Sequence, residues 1–277
     1  MPTVALALLH LVVLIHVDDD HRLLQAARQA WEQGQQEEAV QLATQAIERN
    51  PKNPDGALLR GTMLASLRKH ALAVKDFDRV LELDPRRAEA HHLRGCERFK
   101  LGLFKDSIDD FDRYLAMRPQ ERAGHWQRGI TLYYAGRFED GKKQFEHYEQ
   151  VDTNDVENAV WHFLCNARAH GVDKARSQLL KIGRDRRAPM TEVYELFAGR
   201  AKPEEVLAAA TAGAPPAELR NRQLFYAHLY LGLYGEVMND PKLALQHLTK
   251  AADDHRISHY MGDVARVHRD LLKSPHQ

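Results

Sequence analysis

His91 and His92 come nearest, by eye, to a metal-ligating pair in this 277-residue chain. On a helix, adjacent residues point about 100° apart and share no face, so the pair reads as structural or surface histidine. Asp18-Asp19-Asp20-His21 also has ligating residue types, but a run of like charges at a helix start reads as solvated. Lys181, Arg184, Arg186 and Arg187 form a basic cluster that could hold a phosphate or an anionic polymer. No aromatic residues are interleaved with it, which favours a solvated loop. The sequence contains no phosphate-binding glycine loop, dinucleotide fingerprint, nucleophile elbow or zinc-protease motif. No cofactor or metal is therefore expected, and the role is read as non-enzymatic. An unrecognised site within 156–216 is the enzyme alternative.

The charge balance points the same way. Lys plus Arg (39) equals Asp plus Glu (39), so no global field draws nucleic acid, and no specific nucleic-acid partner is expected. An apolar content of 44% and a charged content of 28% are ordinary for a globular chain. Two cysteines, Cys96 and Cys165, make no disulfide framework and read as small packing residues. Val4 to Val17 is the strongly apolar run. It is shorter than the ~20 residues of a membrane span and has the length of a signal-peptide core. No Lys or Arg precedes it, His10 and His16 interrupt it, and no small-x-small cleavage site follows. Export or membrane tethering is one reading of this run. An apolar first helix packing on the end of the fold is the other. Periplasmic, membrane-associated and cytoplasmic locations all stay open.

The elements that would position these residues show themselves by repetition. Ala57-Leu58-Leu59-Arg60-Gly61 is echoed by His91-His92-Leu93-Arg94-Gly95, and Arg128-Gly129 continues the series at a 34-residue interval. Asp76-Phe77-Asp78-Arg79 likewise returns as Asp110-Phe111-Asp112-Arg113, each ahead of a proline, Pro85 or Pro119. This period and pattern resemble the tetratricopeptide repeat, a pair of antiparallel helices that must stack on its neighbours to bury its apolar face. The expected fold is an all-α right-handed superhelical solenoid with a C-terminal capping helix. Residues 1–19 are a leader or signal segment, and 20–155 hold four repeats. Residues 156–216 hold degenerate helical repeats, and 217–277 a further repeat-like unit and the cap.

Within the repeats, Gly61, Gly95 and Gly129 are expected at close helix crossings, with Phe77, Phe111 and Phe145 in the core. Arg60 and Arg94 are expected to pair with Asp76 and Asp110 as surface-type salt bridges, typically worth about 0–1 kcal/mol. Arg128 faces Gln144 and must find its partner elsewhere. Further on, Glu157 to His170, Lys174 to Lys181, Thr191 to Gly199, Pro203 to Ala212 and Ile257 to Lys273 read as helices, and Arg184 to Pro189 as a basic connector.

The second half adds a further resemblance. Ala159-Val160-Trp161-His162-Phe163-Leu164, Glu192-Val193-Tyr194-Glu195-Leu196-Phe197-Ala198-Gly199, and Phe225-Tyr226-Ala227 leading to Tyr230-Leu231-Gly232 resemble segments of the bacterial envelope lipoprotein called new lipoprotein I. That resemblance implies a homodimeric adaptor that brings proteases and peptidoglycan hydrolases together. Its lipid anchor is not implied, because no cysteine follows the apolar leader.

The repeat family lines its concave groove with the fifth, ninth, twelfth and thirteenth positions of each unit. The resemblance thus implies a groove of Leu58, His92, Phe99, Lys100, Trp126, Ile130, Tyr133 and Trp161. The expected partner is a protein or peptide segment held there, with the aromatic rings as anchors. Burial of these rings by the helices after Asp155 is the competing expectation. The Lys and Asn of the family's chaperone-tail clamp are replaced by Leu24 and Arg28, so a clamp of that kind is not expected. A cytoplasmic repeat subunit of a protein complex is the alternative to an envelope adaptor. A membrane contact would come only through the leader.

Overall fold

The computed structural model describes residues 19–148 and 150–274, so the apolar run Val4 to Val17 lies outside the described residues. The described residues form helices and turns and contain no strand. None of their helices is long and apolar enough to cross a membrane. The chain divides into two compact units, one ending at Pro119 and one beginning at Gln120.

The first unit is three stacked helix pairs. Residues 19–32 (α1) precede α2 (Gln36–Arg49), and α3 (Pro54–Ser66) with α4 (His70–Leu83) and α5 (Ala88–Lys100) with α6 (Phe104–Met117) follow. Small residues set the spacing: Ala27 and Ala30 of α1 pack on Ala39 and Ala43 of α2, with Met63 of α3 closing the cluster. The turn inside each pair needs a left-handed residue. Gly34 (φ 79°) and Gly102 (φ 78°) supply it, and Arg68 (φ 59°) adopts it without being glycine. At the crossings, a Cβ on Gly61 would stand 2.8 Å from Phe77 Cε1, and one on Gly95 2.8 Å from Phe111 Cε1.

The expected arginine–aspartate pairs are present, but they are not surface bridges. Arg60 donates from Nε (2.8 Å) and Nη2 (2.6 Å) to Asp76, and Arg94 from Nε (2.9 Å) and Nη2 (2.6 Å) to Asp110. Asp76 and Asp110 are buried, because each aspartate lies beneath the crossing that its repeat's glycine makes close. Each arginine also reaches the preceding helix pair. Arg60 Nη1 donates to Thr44 Oγ1 (3.1 Å) on α2, and Arg94 Nη1 to Asp78 Oδ1 (2.6 Å) on α4. Asp110 further accepts from Arg98 Nη1 (2.7 Å), and His91 Nδ1 lies 3.3 Å from it. The second ring nitrogen of His91 faces the Pro85 carbonyl at 3.2 Å, so this histidine is a packing residue.

The second unit begins with α7 (Trp126–Tyr134) and α8 (Phe138–Tyr148), which cross through Gly129. Here Arg128 Nη1 does reach Gln144 Oε1 (3.2 Å), contrary to expectation, because the amide oxygen accepts as a carboxylate would. Next comes α9 (Val156–His170), started by Asp155, whose side chain accepts from Glu157 N (3.1 Å), and ended at Gly171 (φ 90°). It is buried on nearly every side rather than on one face, since α7, α8, α10 (Val172–Ser177), α11 (Met190–Phe197) and α13 (Ala217–Val237) all pack on it.

The helix expected to reach Lys181 stops at Ser177. Beyond it the backbone is held by the loop before α9 instead: Gly183 N donates to Thr153 O (2.8 Å) and Arg184 N to Asn154 Oδ1 (3.1 Å). After α12 (Pro203–Thr211) and α13 come α14 (Pro241–Thr249), a π-helical turn over Lys250–Asp254, and α15 (Tyr260–Lys273). The last helix buries Met261, Val264, Ala265, Val267 and His268.

Candidate binding pocket

The aromatic residues of α7 and α9 meet inside the second unit. Tyr133 packs edge-on to Trp161 (centroids 5.5 Å apart, 76°), and Phe145 stacks on Trp161 at 6.4 Å. The C-terminal helices come over them. Tyr133 Oη donates to Glu236 Oε2 of α13 (2.7 Å), and Tyr134 Oη lies 2.9 Å from His268 Nδ1 of α15. Tyr133 and Trp161 are buried as a result, and Ile130 with them. Trp126, near the start of α7, is only half-buried. His259 stacks on it at 6.3 Å and Tyr260 meets it edge-on at 5.3 Å.

Between these rings lies a cavity of about 280 Å³. Its apolar walls are Trp126, Ile130, Phe145, Tyr148, Trp161 and Met261, and Tyr226 and His259 complete the aromatic part. Its polar side is Asp155, Glu157, Asn158 and Arg187. Three of the eight groove residues, Trp126, Ile130 and Trp161, therefore share one pocket. Tyr133 lines a separate depression with Tyr134, Phe138, Arg168, Glu236 and His268.

Leu58, His92, Phe99 and Lys100 belong to the first unit. Leu58 packs against the cluster of Ala57, Val80, Leu81 and Ala90, and the His92 ring lies 5.0 Å from that of Tyr114. Phe99 is fully buried beside Phe104, and Lys100 Nζ is bonded to Glu97 Oε1 (2.5 Å).

The polar side is held by one arginine. Arg187 donates from Nε (3.0 Å) and Nη2 (2.6 Å) to Asp185, from Nη1 (2.7 Å) to Glu157 and from Nη2 (2.8 Å) to Asp155. The connector expected to be a solvated basic cluster thus spends Arg187 on three carboxylates. Burial raises the Asp155 and Glu157 carboxyls above their ordinary range, with Arg187 opposing it. Burial also opposes the charge on Asp185, but bonds from Arg187 and from the Val156 amide outweigh it and hold that carboxyl low. Glu157 Oε2 accepts from Tyr230 Oη (2.6 Å), so both of its oxygens are engaged. Burial lowers His259 and favours its neutral ring.

Two of the lining residues each carry a buried atom with no protein partner among the described residues: Asn158 Oδ1 and Trp161 Nε1. Asn158 donates from Nδ2 to the Phe145 carbonyl (3.0 Å), which fixes Oδ1 as the atom left over. Leaving such groups unsatisfied typically costs about 1–3 kcal/mol each. The arrangement suits holding a ligand with hydrogen-bonding capacity. It presents no activated nucleophile, and Asp155 and Glu157 are each bonded to Arg187.

Little in the sequence points to this polar side. Asp155 reads as a helix cap, and Arg187 lies thirty-odd residues further on in what reads as a loop. The one available signal was the pair of carboxylates flanking Val156 beside an aromatic helix.

Residues 24–88 match the family model described as tetratricopeptide repeat. No curated protein matches the chain significantly. Among solved structures, a tetratricopeptide repeat protein from Parabacteroides merdae is similar with a TM-score of 0.60 at 14% identity, over 93% of this chain and 100% of that one. A MamA protein gives 0.55 at 14% identity, over 72% and 98%. A MamA fragment from Desulfovibrio magneticus RS-1 gives 0.53 at 19% identity, over 58% and 90%. At these identities the likeness is one of fold. The chain has the all-α tetratricopeptide-repeat fold.

Proposed function

We propose that this chain is a non-enzymatic interaction scaffold that grips a segment of a partner protein at the pocket walled by Trp126, Ile130 and Trp161. The observation that carries the reading is the half-buried Trp126 at an aromatic cavity whose lining also includes Asn158 and Trp161, each of which carries a buried polar atom without a protein partner among the described residues. A stacked-helix fold supports it, since such repeats present extended surfaces to partners. Trp126 is the half-buried ring through which an arriving segment would be felt first. Tyr133 and Tyr134 then serve as the braces that hold α13 and α15 over the pocket, rather than as anchors. Leu58, His92 and Lys100 belong to this proposal only as a second contact surface, on the first unit, and Phe99, being fully buried, has no part in it.

The test is site-specific photo-crosslinking. A benzophenone amino acid replaces Trp126 in the full chain, and for comparison Leu72, an exposed residue of α4. Irradiation in native lysate should give a discrete protein adduct from position 126 that position 72 lacks. Adducts common to both positions, or crosslinks confined to the chain itself, end the reading. The envelope adaptor and the cytoplasmic subunit share this pocket. A reporter fused after Asp20 separates them by whether it leaves the cytoplasm.

A further inference from the structure

We infer that the pocket takes the cationic side chain of a lysine or arginine residue within the partner segment. The inference rests on the scaffold reading and adds the chemistry of what is gripped.

Three independent features converge. The first is the walls. Trp126, Tyr148, Trp161 and Tyr226 surround one small cavity, and the faces of such rings attract cations, tryptophan most strongly. The second is charge. Of the lining residues, Asp155 and Glu157 are acidic and Arg187 is basic, and Asp185 adds a further carboxylate beside Arg187. His259 adds no cation when its ring is neutral. Arg222, whose charge reaches Tyr226, is exposed and does not line the cavity. The carboxylates therefore outnumber the cation that crosslinks them. Asp155 keeps Oδ2 without a hydrogen bond among the described residues, an open acceptor at the edge of the pocket.

The third feature is the pair of orphaned atoms. Asn158 is 5% exposed and carries an unpartnered acceptor, Oδ1; Trp161 is 2% exposed and carries an unpartnered donor, Nε1–H. An ammonium or guanidinium group brings donors for the first and nothing for the second. A peptide residue carrying that group also brings a backbone carbonyl, the kind of acceptor that the indole lacks. The chemistry thus favours a basic residue in a peptide over a free organic cation. Size agrees, since a cavity of about 280 Å³ has room for one long side chain.

The protein supplies its own reporters. Of its three tryptophans, Trp126 and Trp161 line the pocket and Trp31 lies in the first unit as an internal control. The full chain, labelled at the indole nitrogens, is titrated by nuclear magnetic resonance with N-acetyl-lysine amide and N-acetyl-arginine amide. The comparison compounds are N-acetyl-norleucine amide, N-acetyl-glutamate amide and n-butylammonium. The Trp126 and Trp161 signals should move with one or both basic amides while Trp31 stays, with norleucine and glutamate amides at least tenfold weaker. Asp155→Asn, which can still cap α9, should weaken binding at least threefold, and Asn158→Leu more.

Equal binding of the norleucine amide, preference for the glutamate amide, or no response to any compound overturns the inference. Binding of n-butylammonium as tight as that of the lysine amide overturns the peptide part of it. The two readings fail separately. A protein adduct at position 126 without cation preference leaves the scaffold standing and removes this inference. Cation preference without an adduct leaves the cation-binding chemistry of the pocket standing and removes the scaffold reading, and with it the partner segment.

Discussion

Removing the Asp110 carboxylate should cost far more than removing its counterpart one repeat earlier, although the sequence makes the two look alike. Asp110 is 1% exposed and accepts two bonds from Arg94 and one from Arg98, with His91 beside it. In Asp110→Ala, Arg94 stays buried and keeps only Asp78, which is 42% exposed. Breaking a buried charge pair from one side typically costs about 3–5 kcal/mol, because the remaining charge is left without compensation. Asp76→Ala leaves Arg60 26% exposed, with Thr44 still bonded to it. Water can reach that guanidinium, so the loss should be nearer the ~1.5–3 kcal/mol of a hydrogen bond to a charged group, reduced further by solvent screening.

Both residues lie in the first unit, so one local readout compares them. Hydrogen exchange followed on peptides from α3 to α6 should speed up by more than about a hundredfold in Asp110→Ala and by roughly tenfold in Asp76→Ala, at about 1.4 kcal/mol per factor of ten. Equal effects, or a loss below about 1 kcal/mol for Asp110→Ala, would refute the claim that burial makes the difference.

Three further outcomes are expected. Gly129→Ala places a Cβ 2.6 Å from Phe145 Cζ and should destabilise the second unit by about 1–3 kcal/mol; Phe145→Leu in the same chain should recover part of that loss in a double-mutant thermal melt. Burial alone would raise the Glu236 carboxyl, but the His268 bond and charge, the Tyr133 hydroxyl and Arg168 together hold it at about 2. A depressed carboxyl stabilises the fold above its unfolded pKa of about 4.3 and loses that contribution as pH falls towards 2, so Glu236→Gln should flatten the fall in melting temperature across that window. Burial, helped by the neighbouring His247, His255 and Lys250, lowers His228 to about 3. The unfolded ring titrates near 6.5, so stability should decline from about pH 6.5 downwards, and His228→Gln should lessen that decline in melts at pH 5 and pH 7.

The repeat was legible because it is periodic. Arg60, Arg94 and Arg128 announce equivalent crossings, and the glycine and phenylalanine partners fall where the pattern puts them. Local spacing also gave the Arg60–Asp76 and Arg94–Asp110 pairs, but not their burial, which depends on what packs over them. Beyond Asp155 the period lapses, and prediction weakens with it. The pattern of α9 suggests one apolar face, yet Asn158, His162 and Asn166 are buried too, because α10, α11 and α13 cover the remaining sides. Trp161 was legible as an inward aromatic. That α13 and α15 would close over its neighbours Tyr133 and Tyr134 was visible only as the competing expectation of burial, framed for the helices after Asp155. The bond from Arg187 to Asp155 joins residues with no shared period, and composition makes that arginine look like a solvated loop residue.

The reach of Arg60 and Arg94 into the preceding helix pair has a consequence for how such a chain can lengthen. Each arginine binds its own repeat's aspartate and one residue of the repeat before it, Thr44 for Arg60 and Asp78 for Arg94. The α3–α4 pair therefore carries both halves of the joint: an arginine that reaches backwards and an acceptor, Asp78, ready for the next arginine. A tandem copy of residues 54–87 inserted after Arg87 would meet the acceptor it needs upstream and offer the same one downstream. The joint is thus self-compatible, as a building block must be, and gene duplication could extend this stretch without inventing a new interface.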